Sequence, residues 1–151
     1  MSCHSDEVRV LIADDNRDAG ETLARLLREL QYDVRVATNG RSAYEIALEF
    51  QPQAGIFDLG MPGLTGYELA RYVRLEPWGR EAVLIALSGF ADDADRAKAD
   101  HAGFTHYRAK PAEFADLSQL LPPAPRVNPG HAPGVLARRT FNAVRRRWLS
   151  G

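Results

Sequence analysis

Residues 54–63 read Ala-Gly-Ile-Phe-Asp-Leu-Gly-Met-Pro-Gly, an apolar run that ends in an aspartate and passes directly into a turn. A short apolar run bounded by glycine and proline is typical of a buried strand. We therefore predict a strand over residues 53–58, with the carboxylate of Asp58 at its carboxyl end. Open α/β sheets hold their chemistry at that end of their strands.

Two other apolar runs also end in ionisable residues. Asp14 and Asp15 follow the run over residues 8–13, and Lys110-Pro111 follows the run over residues 104–109. Three predicted strand ends thus contribute three acids and one base.

Strand-like and helical patterns alternate along the first 121 residues. This alternation predicts parallel strands covered by helices, and therefore an α/β fold. The predicted strands lie near residues 8–13, 33–37, 53–58, 82–87 and 104–109, and the predicted helices near 17–30, 40–50, 64–75, 91–102 and 112–121.

The polar residues at these strand ends resemble the motif set of response regulator receiver domains. Asp14-Asp15, Asp58, Ser88 and Lys110-Pro111 stand in that family's order and approximate spacing, and the resemblance covers residues 7–121. It implies a flavodoxin-like (βα)5 sandwich with a five-stranded parallel sheet of order 2-1-3-4-5. It also implies a cis peptide bond before Pro111.

The predicted cluster of carboxylates indicates a metal site. Three carboxylates without a counter-charge would repel one another, and oxygen ligands favour Mg²⁺. The resemblance implies that Asp15, Asp58 and the backbone carbonyl of Gly60 bind Mg²⁺ directly and that Asp14 acts through water. Helix capping is the alternative explanation for Asp14 and Asp15, and Asp58 favours the metal site over it.

The resemblance also assigns chemical roles. It implies that Asp58 accepts a phosphoryl group from a histidine kinase or a histidine phosphotransfer protein, with Lys110 and Mg²⁺ neutralising charge. Ser88 and Tyr107 match the family's switch positions, which would change a surface read by a downstream protein. Taken singly, each of these residues also has a structural explanation: a turn aspartate, a surface lysine, a turn hydroxyl and a half-buried strand aromatic.

Two alternative functions remain open. One is a receiver-like binding module that works without phosphorylation. The other is a phosphohydrolase with an aspartyl-phosphate intermediate, which would be expected to carry a second acid where Gly60 stands. The favoured interpretation is a signalling phosphoacceptor that assists its own phosphorylation and dephosphorylation, rather than an enzyme.

The sequence also indicates where in the cell the protein is expected. The chain has 151 residues and a single cysteine, Cys3, which excludes a disulfide within one chain. The first residues lack the basic and then apolar layout of a signal peptide, and no apolar run reaches membrane-spanning length. We expect a cytoplasmic protein.

Charge is distributed unevenly along the chain. Residues 1–117 hold all 20 acidic residues and 13 of the 19 basic ones, a balance of −7, whereas residues 118–151 hold six arginines and no acid. We divide the chain into a receiver domain over residues 1–121, a Pro/Gly-rich linker over 122–134 and a tail over 135–151. The tail is predicted to be a basic amphipathic helix or disordered, and to dock a partner, the receiver itself or an anionic surface, in preference to DNA.

Overall fold

The computed structural model describes residues 7–89 and 92–124. Strands and helices alternate throughout this part of the chain, as the sequence predicts. In chain order they are β1 (Arg9–Ala13), α1 (Arg17–Glu29), β2 (Asp33–Ala37), α2 (Gly40–Phe50), β3 (Ala54–Asp58), α3 (Gly66–Leu75), a 3₁₀ helix (Pro77–Gly79), β4 (Val83–Ser88), α4 (Asp93–Ala102), β5 (His106–Ala109) and α5 (Phe114–Leu120).

The five strands form one parallel sheet of order β2-β1-β3-β4-β5. This confirms the predicted flavodoxin-like fold. The strand order reverses between β1 and β3, so the two strands that precede Asp14 and end at Asp58 lie side by side. In open α/β sheets such a reversal leaves a crevice at the carboxyl edge, where ligands bind.

The sheet separates two hydrophobic cores. Alternate residues of β1 point to opposite faces, so Leu11 packs in one core and Val10 and Ile12 in the other. The first core lies beneath α2, α3 and α4, and the second beneath α1 and α5. Because both faces are covered, the central strands are apolar on both sides, as parallel strands usually are.

Side-chain caps fix where several helices begin. Asn16, Asn39 and Asp92 each accept a hydrogen bond from a backbone N–H in the first turn of the helix that follows. Thr65 and Glu68 form a reciprocal capping box at the start of α3. This box is the reason that α3 begins at Gly66, two residues later than the sequence predicted.

Arg74, near the end of α3, forms hydrogen bonds with several segments at the amino edge of the sheet. Its guanidinium donates hydrogen bonds to the carbonyl oxygens of Gly79 (2.8 Å), Ala82 (2.7 Å) and Gly103 (2.8 Å). A further bond reaches the hydroxyl of Thr105 at 3.1 Å. The planar fork of arginine supplies donors in several directions at once, as this junction requires.

The end of the predicted domain is anchored, because the phenol of Tyr32 donates a hydrogen bond to the carbonyl oxygen of Pro122 at 2.7 Å. Most of the predicted linker and the whole tail over residues 135–151 lie outside the described residues, so that division of the chain stays a prediction. Within residues 7–89 and 92–124, no helix combines the length and apolar character needed to cross a membrane.

Candidate functional site

Three carboxylates and one ammonium group meet at the carboxyl edge of the sheet. Asp14, Asp15 and Asp58 each offer an oxygen atom, and these oxygens all lie within 4.8 Å of one another. The Lys110 Nζ atom lies 3.1 Å from Oδ2 of Asp58 and 3.6 Å from Oδ2 of Asp14. The fold therefore brings together the four ionisable residues singled out in the sequence.

Asp14 and Asp15 follow β1 but do not cap α1. The cap is Asn16, whose side chain accepts from the backbone N–H of Ala19 at 3.1 Å. Asp14 is buried, and its Oδ1 accepts from the backbone N–H of Asn16 at 2.9 Å, whereas Asp15 is exposed. With the cap supplied by Asn16, the carboxylates are left available to the site.

Asp58 is the last residue of β3 and is only 6% exposed. One of its oxygens, Oδ1, accepts from the backbone N–H of Gly60 at 3.1 Å. The start of α3 also lies against it, because a Cβ atom on Gly66 would come within 2.5 Å of the Asp58 carbonyl oxygen. Glycine at position 66 is thus what permits this close approach.

Lys110 enters the site from the end of β5. The bond between Lys110 and Pro111 is cis, as the resemblance implied, and the Lys110 backbone N–H donates to the Ser88 carbonyl oxygen at 2.7 Å. Partial burial lowers the pKa of Lys110, but the hydrogen bond to Asp58 and the charges of Asp14 and Asp58 outweigh it, so the net pKa is raised. The amine is therefore an ammonium ion at neutral pH.

Burial raises the pKa of Asp14, and the charges of Asp58 and Asp15 act in the same direction. The hydrogen bond from Asn16 and the charge of Lys110 oppose this rise without cancelling it. One ammonium group thus compensates the three carboxylates only in part. An all-oxygen set of this kind, with excess negative charge, fits a hard divalent cation such as Mg²⁺.

Ser88 and Tyr107 lie beside the carboxylates rather than among them. Ser88 ends β4 and is 4% exposed, and its hydroxyl donates to Oδ2 of Asp95 at 3.4 Å. Tyr107 lies in β5, and its ring packs in the core beneath α2, α3 and α4. The guanidinium carbon of Arg96 lies 5.0 Å from the centre of that ring.

Sequence reasoning missed Asp95 as part of this neighbourhood. Asp95 lies in the first turn of α4, where an acidic residue is usually explained by the helix dipole. Its Oδ1 accepts a hydrogen bond from the phenol of Tyr67 in α3 at 3.3 Å. The only clue in the sequence was that Asp95 follows the Asp92 cap by three residues, which does not predict a contact with Ser88.

Comparison with known proteins gives a consistent result. The family model described as "Response regulator receiver domain" matches residues 10–122. An uncharacterised 14.6 kDa protein from Leptolyngbya boryana is 31% identical over 115 residues, covering 76% of this chain and 88% of that protein. The response regulator MprA of Mycolicibacterium vanbaalenii is 30% identical over 136 residues, covering 89% of this chain. This chain spans only 58% of the length of MprA.

A solved structure agrees with these sequence matches. The receiver domain of the sensor histidine kinase PA1611 from Pseudomonas aeruginosa PAO1 is 31% identical, with a TM-score of 0.68 over 76% of this chain and 93% of that one. That structure has a magnesium ion coordinated in its active-site cleft. The sheet order, the residues at the strand ends and a family match over most of its length together show that this chain belongs to the response regulator receiver domain family.

Proposed function

We propose that this protein is the phosphoacceptor of a two-component or phosphorelay system and that Asp58 is the residue phosphorylated. The observation that carries the proposal is the position of the Asp58 carboxylate, which is almost buried, 3.1 Å from the Lys110 ammonium and grouped with two other carboxylates. The phosphoryl donor would be the phosphohistidine of a histidine kinase or of a histidine phosphotransfer protein.

In the transfer step, an oxygen of the Asp58 carboxylate forms a bond to phosphorus while the bond from phosphorus to the donor imidazole nitrogen breaks. The electron pair of that bond stays on the imidazole. Transfer of this kind depends mainly on positioning and charge neutralisation. Lys110 is suited to neutralise charge on the phosphoryl oxygens because its ammonium already lies between Asp14 and Asp58.

Asp14, Asp15 and Asp58, together with the carbonyl of Gly60, would hold Mg²⁺. When bound, the ion supplies positive charge next to the phosphoryl oxygens. Without it, the carboxylates would repel an incoming phosphoryl group, because Lys110 is the single ammonium group that contacts the cluster among the residues described. The magnesium ion in the cleft of the PA1611 receiver domain supports the same assignment.

Phosphorylation would be read on the surface formed by α4, β5 and α5. Ser88 would turn its hydroxyl toward the phosphoryl group, and Tyr107 would change position behind it. A downstream protein, rather than DNA, would recognise the altered surface. We assign this signalling to the cytoplasm, where histidine kinases present their donor domains.

The proposal is tested by mass spectrometry of the intact protein after incubation with acetyl phosphate and Mg²⁺. Wild type is expected to gain one phosphoryl group, and neither Asp58→Asn nor a chelator-treated sample should gain one. Labelling of Asp58→Asn would refute the assignment of the acceptor.

Two other outcomes separate the alternatives. A folded wild-type protein that is never labelled, beside a receiver that is, would favour the phosphorylation-independent binding module. Multiple-turnover release of inorganic phosphate when a phosphomonoester replaces acetyl phosphate would favour the phosphohydrolase.

A further inference from the structure

Ser88 is connected to α4 through Asp95. Its hydroxyl donates to Oδ2 of Asp95 at 3.4 Å, and Ser88 itself lies at the carboxyl edge of β4, next to the end of β3. A serine hydroxyl carries one proton, and an ionised carboxylate only accepts. The proton that Ser88 gives to Asp95 is therefore the proton that a phosphoryl oxygen on Asp58 would need.

Asp95 is held firmly in this position. Its other oxygen, Oδ1, accepts from the phenol of Tyr67 at 3.3 Å, and its backbone N–H donates to the side chain of Asp92 at 2.7 Å. Burial, together with the charge and hydrogen bond of Asp95, raises the pKa of Tyr67 to about 12, so the phenol remains a donor at neutral pH. The carboxylate is thus anchored from α3 while it binds Ser88 of β4.

Capping does not account for the side chain of Asp95. Asp92 caps α4, and the Asp95 carboxylate instead lies between two hydroxyl groups from other elements. Asp92 and Asp93 are exposed, whereas Asp95 is half-buried. Of these three aspartates at the start of α4, Asp95 is the one for which contacts with α3 and β4 are observed.

These contacts connect Asp58, α3, α4 and β4 around the proposed phosphorylation site. Asp58 ends β3, and the first residue of α3, Gly66, packs against its carbonyl oxygen. The next residue, Tyr67, binds Asp95, and Asp95 binds Ser88. A change at Asp58 that attracts Ser88 must therefore act on the contact that holds the start of α4.

We propose that Asp95 is a positioning residue that holds the Ser88 hydroxyl in the unphosphorylated state, so that the phosphoryl group and Asp95 compete for one proton. When the phosphoryl group takes that proton, Asp95 loses its contact with β4 and the first turn of α4 is released. This inference rests on the proposed function, because the competitor is the phosphoryl group on Asp58.

The test compares rates of labelling by acetyl phosphate with Mg²⁺ in four variants and wild type: Asp95→Ala, Ser88→Ala, the double variant and Asp93→Ala. Alanine is used because an asparagine oxygen could still accept the Ser88 proton. Asp93→Ala is the matched control, since it removes the same charge from the same helix turn at an exposed residue. Asp95→Ala should accelerate labelling roughly fivefold, equivalent to about 1 kcal/mol, the net strength of one such hydrogen bond. Asp93→Ala should leave the rate unchanged.

The double variant separates positioning from simple electrostatics. If Asp95 acts by holding Ser88, Asp95→Ala gives no acceleration once Ser88 is alanine, because no hydroxyl remains to release. An acceleration of equal size in both backgrounds would overturn the inference, since it would come from charge alone. Equal rates for Asp95→Ala, Asp93→Ala and wild type would also overturn it.

Amide hydrogen exchange over residues 93–102 supplies a second readout. We expect faster exchange in the first turn of α4 in unphosphorylated Asp95→Ala, and in wild type after phosphorylation, but no further increase in Ser88→Ala after phosphorylation. If wild type is never labelled, the proposed function fails and this inference fails with it. If wild type is labelled normally but Asp95→Ala matches Asp93→Ala, only this inference fails.

Discussion

Replacing Asp58 with asparagine should stabilise the metal-free protein, even though it removes an ion pair with Lys110. The Lys110 Nζ atom lies 3.1 Å from Asp58 Oδ2, while the oxygens that Asp14 and Asp15 offer lie within 4.8 Å of that of Asp58. One attraction is thus lost and two repulsions are relieved. An asparagine oxygen can still accept a hydrogen bond from Lys110.

The sign follows from Coulomb's law. At an effective dielectric constant of about 20, the attraction at 3.1 Å is worth roughly 5 kcal/mol, and two repulsions at no more than 4.8 Å are together worth at least roughly 7 kcal/mol. Solvent screens both contributions, because Asp15 is exposed and Lys110 half-exposed. We therefore expect Asp58→Asn to raise the free energy of unfolding by about 1 kcal/mol when no metal is bound.

Urea unfolding followed by far-UV circular dichroism measures this difference, once with chelator and once with Mg²⁺. At a Mg²⁺ concentration about 100 times its Kd, the free energy of unfolding of wild type should rise by about 2.7 kcal/mol and that of the variant by much less. Wild type should then be the more stable of the two. Asp33→Asn removes a charge from an exposed residue of β2 and should change stability by less than about 0.5 kcal/mol. A loss of stability in chelated Asp58→Asn would refute the reasoning, because the Lys110 attraction would then dominate.

Three further substitutions test how the site is built. Gly66→Ala places a Cβ 2.5 Å from the Asp58 carbonyl oxygen. The free energy of unfolding in urea should therefore fall by about 2 kcal/mol. An unchanged urea midpoint would contradict the close packing. Thr65→Ala removes the capping box of α3 and should lower the free energy of unfolding by about 1 kcal/mol. Ser42→Ala, at a half-buried residue in the first turn of α2, is the control for hydroxyl loss. Lys110→Arg keeps the charge but replaces a compact ammonium with a planar fork, so Asp58 should still be labelled while the increase in α4 hydrogen exchange becomes smaller. An undiminished increase would show that any cation suffices at this position.

The repeating parts of the fold were predictable because they rest on local patterns. Within the residues that the structure describes, apolar runs and helical spacing located the five strands and five α-helices to within about two residues, as is usual for such boundaries. The largest differences have local causes. β5 begins at His106 rather than residue 104, and the hydroxyl of Thr105 accepts the Leu84 N–H where a regular strand would use a carbonyl.

The carboxylates and Lys110 were predictable because parallel strands deliver their carboxyl ends to one edge. The partners of Ser88 were not. The contact from Tyr67 to Asp95 joins residues 28 apart in the chain and depends on how α3 and α4 pack, which no periodic pattern reports. The junction at Arg74 is similar, since its carbonyl partners are ordinary positions in the sequence.

Arg74 also determines how α4 can move. Its Nε atom donates to the carbonyl oxygen of Gly103, the C-cap residue directly after α4, and therefore fixes the end of the helix farthest from Ser88. α4 has ten residues and is thus about 15 Å long. Pivoting about that fixed end by roughly 5° would displace the first turn by roughly 1.3 Å, enough to break a hydrogen bond. Under the proposed competition for the Ser88 proton, α4 would pivot about its end at Arg74, and loss of the Asp95 contact would move its first turn at the protein surface.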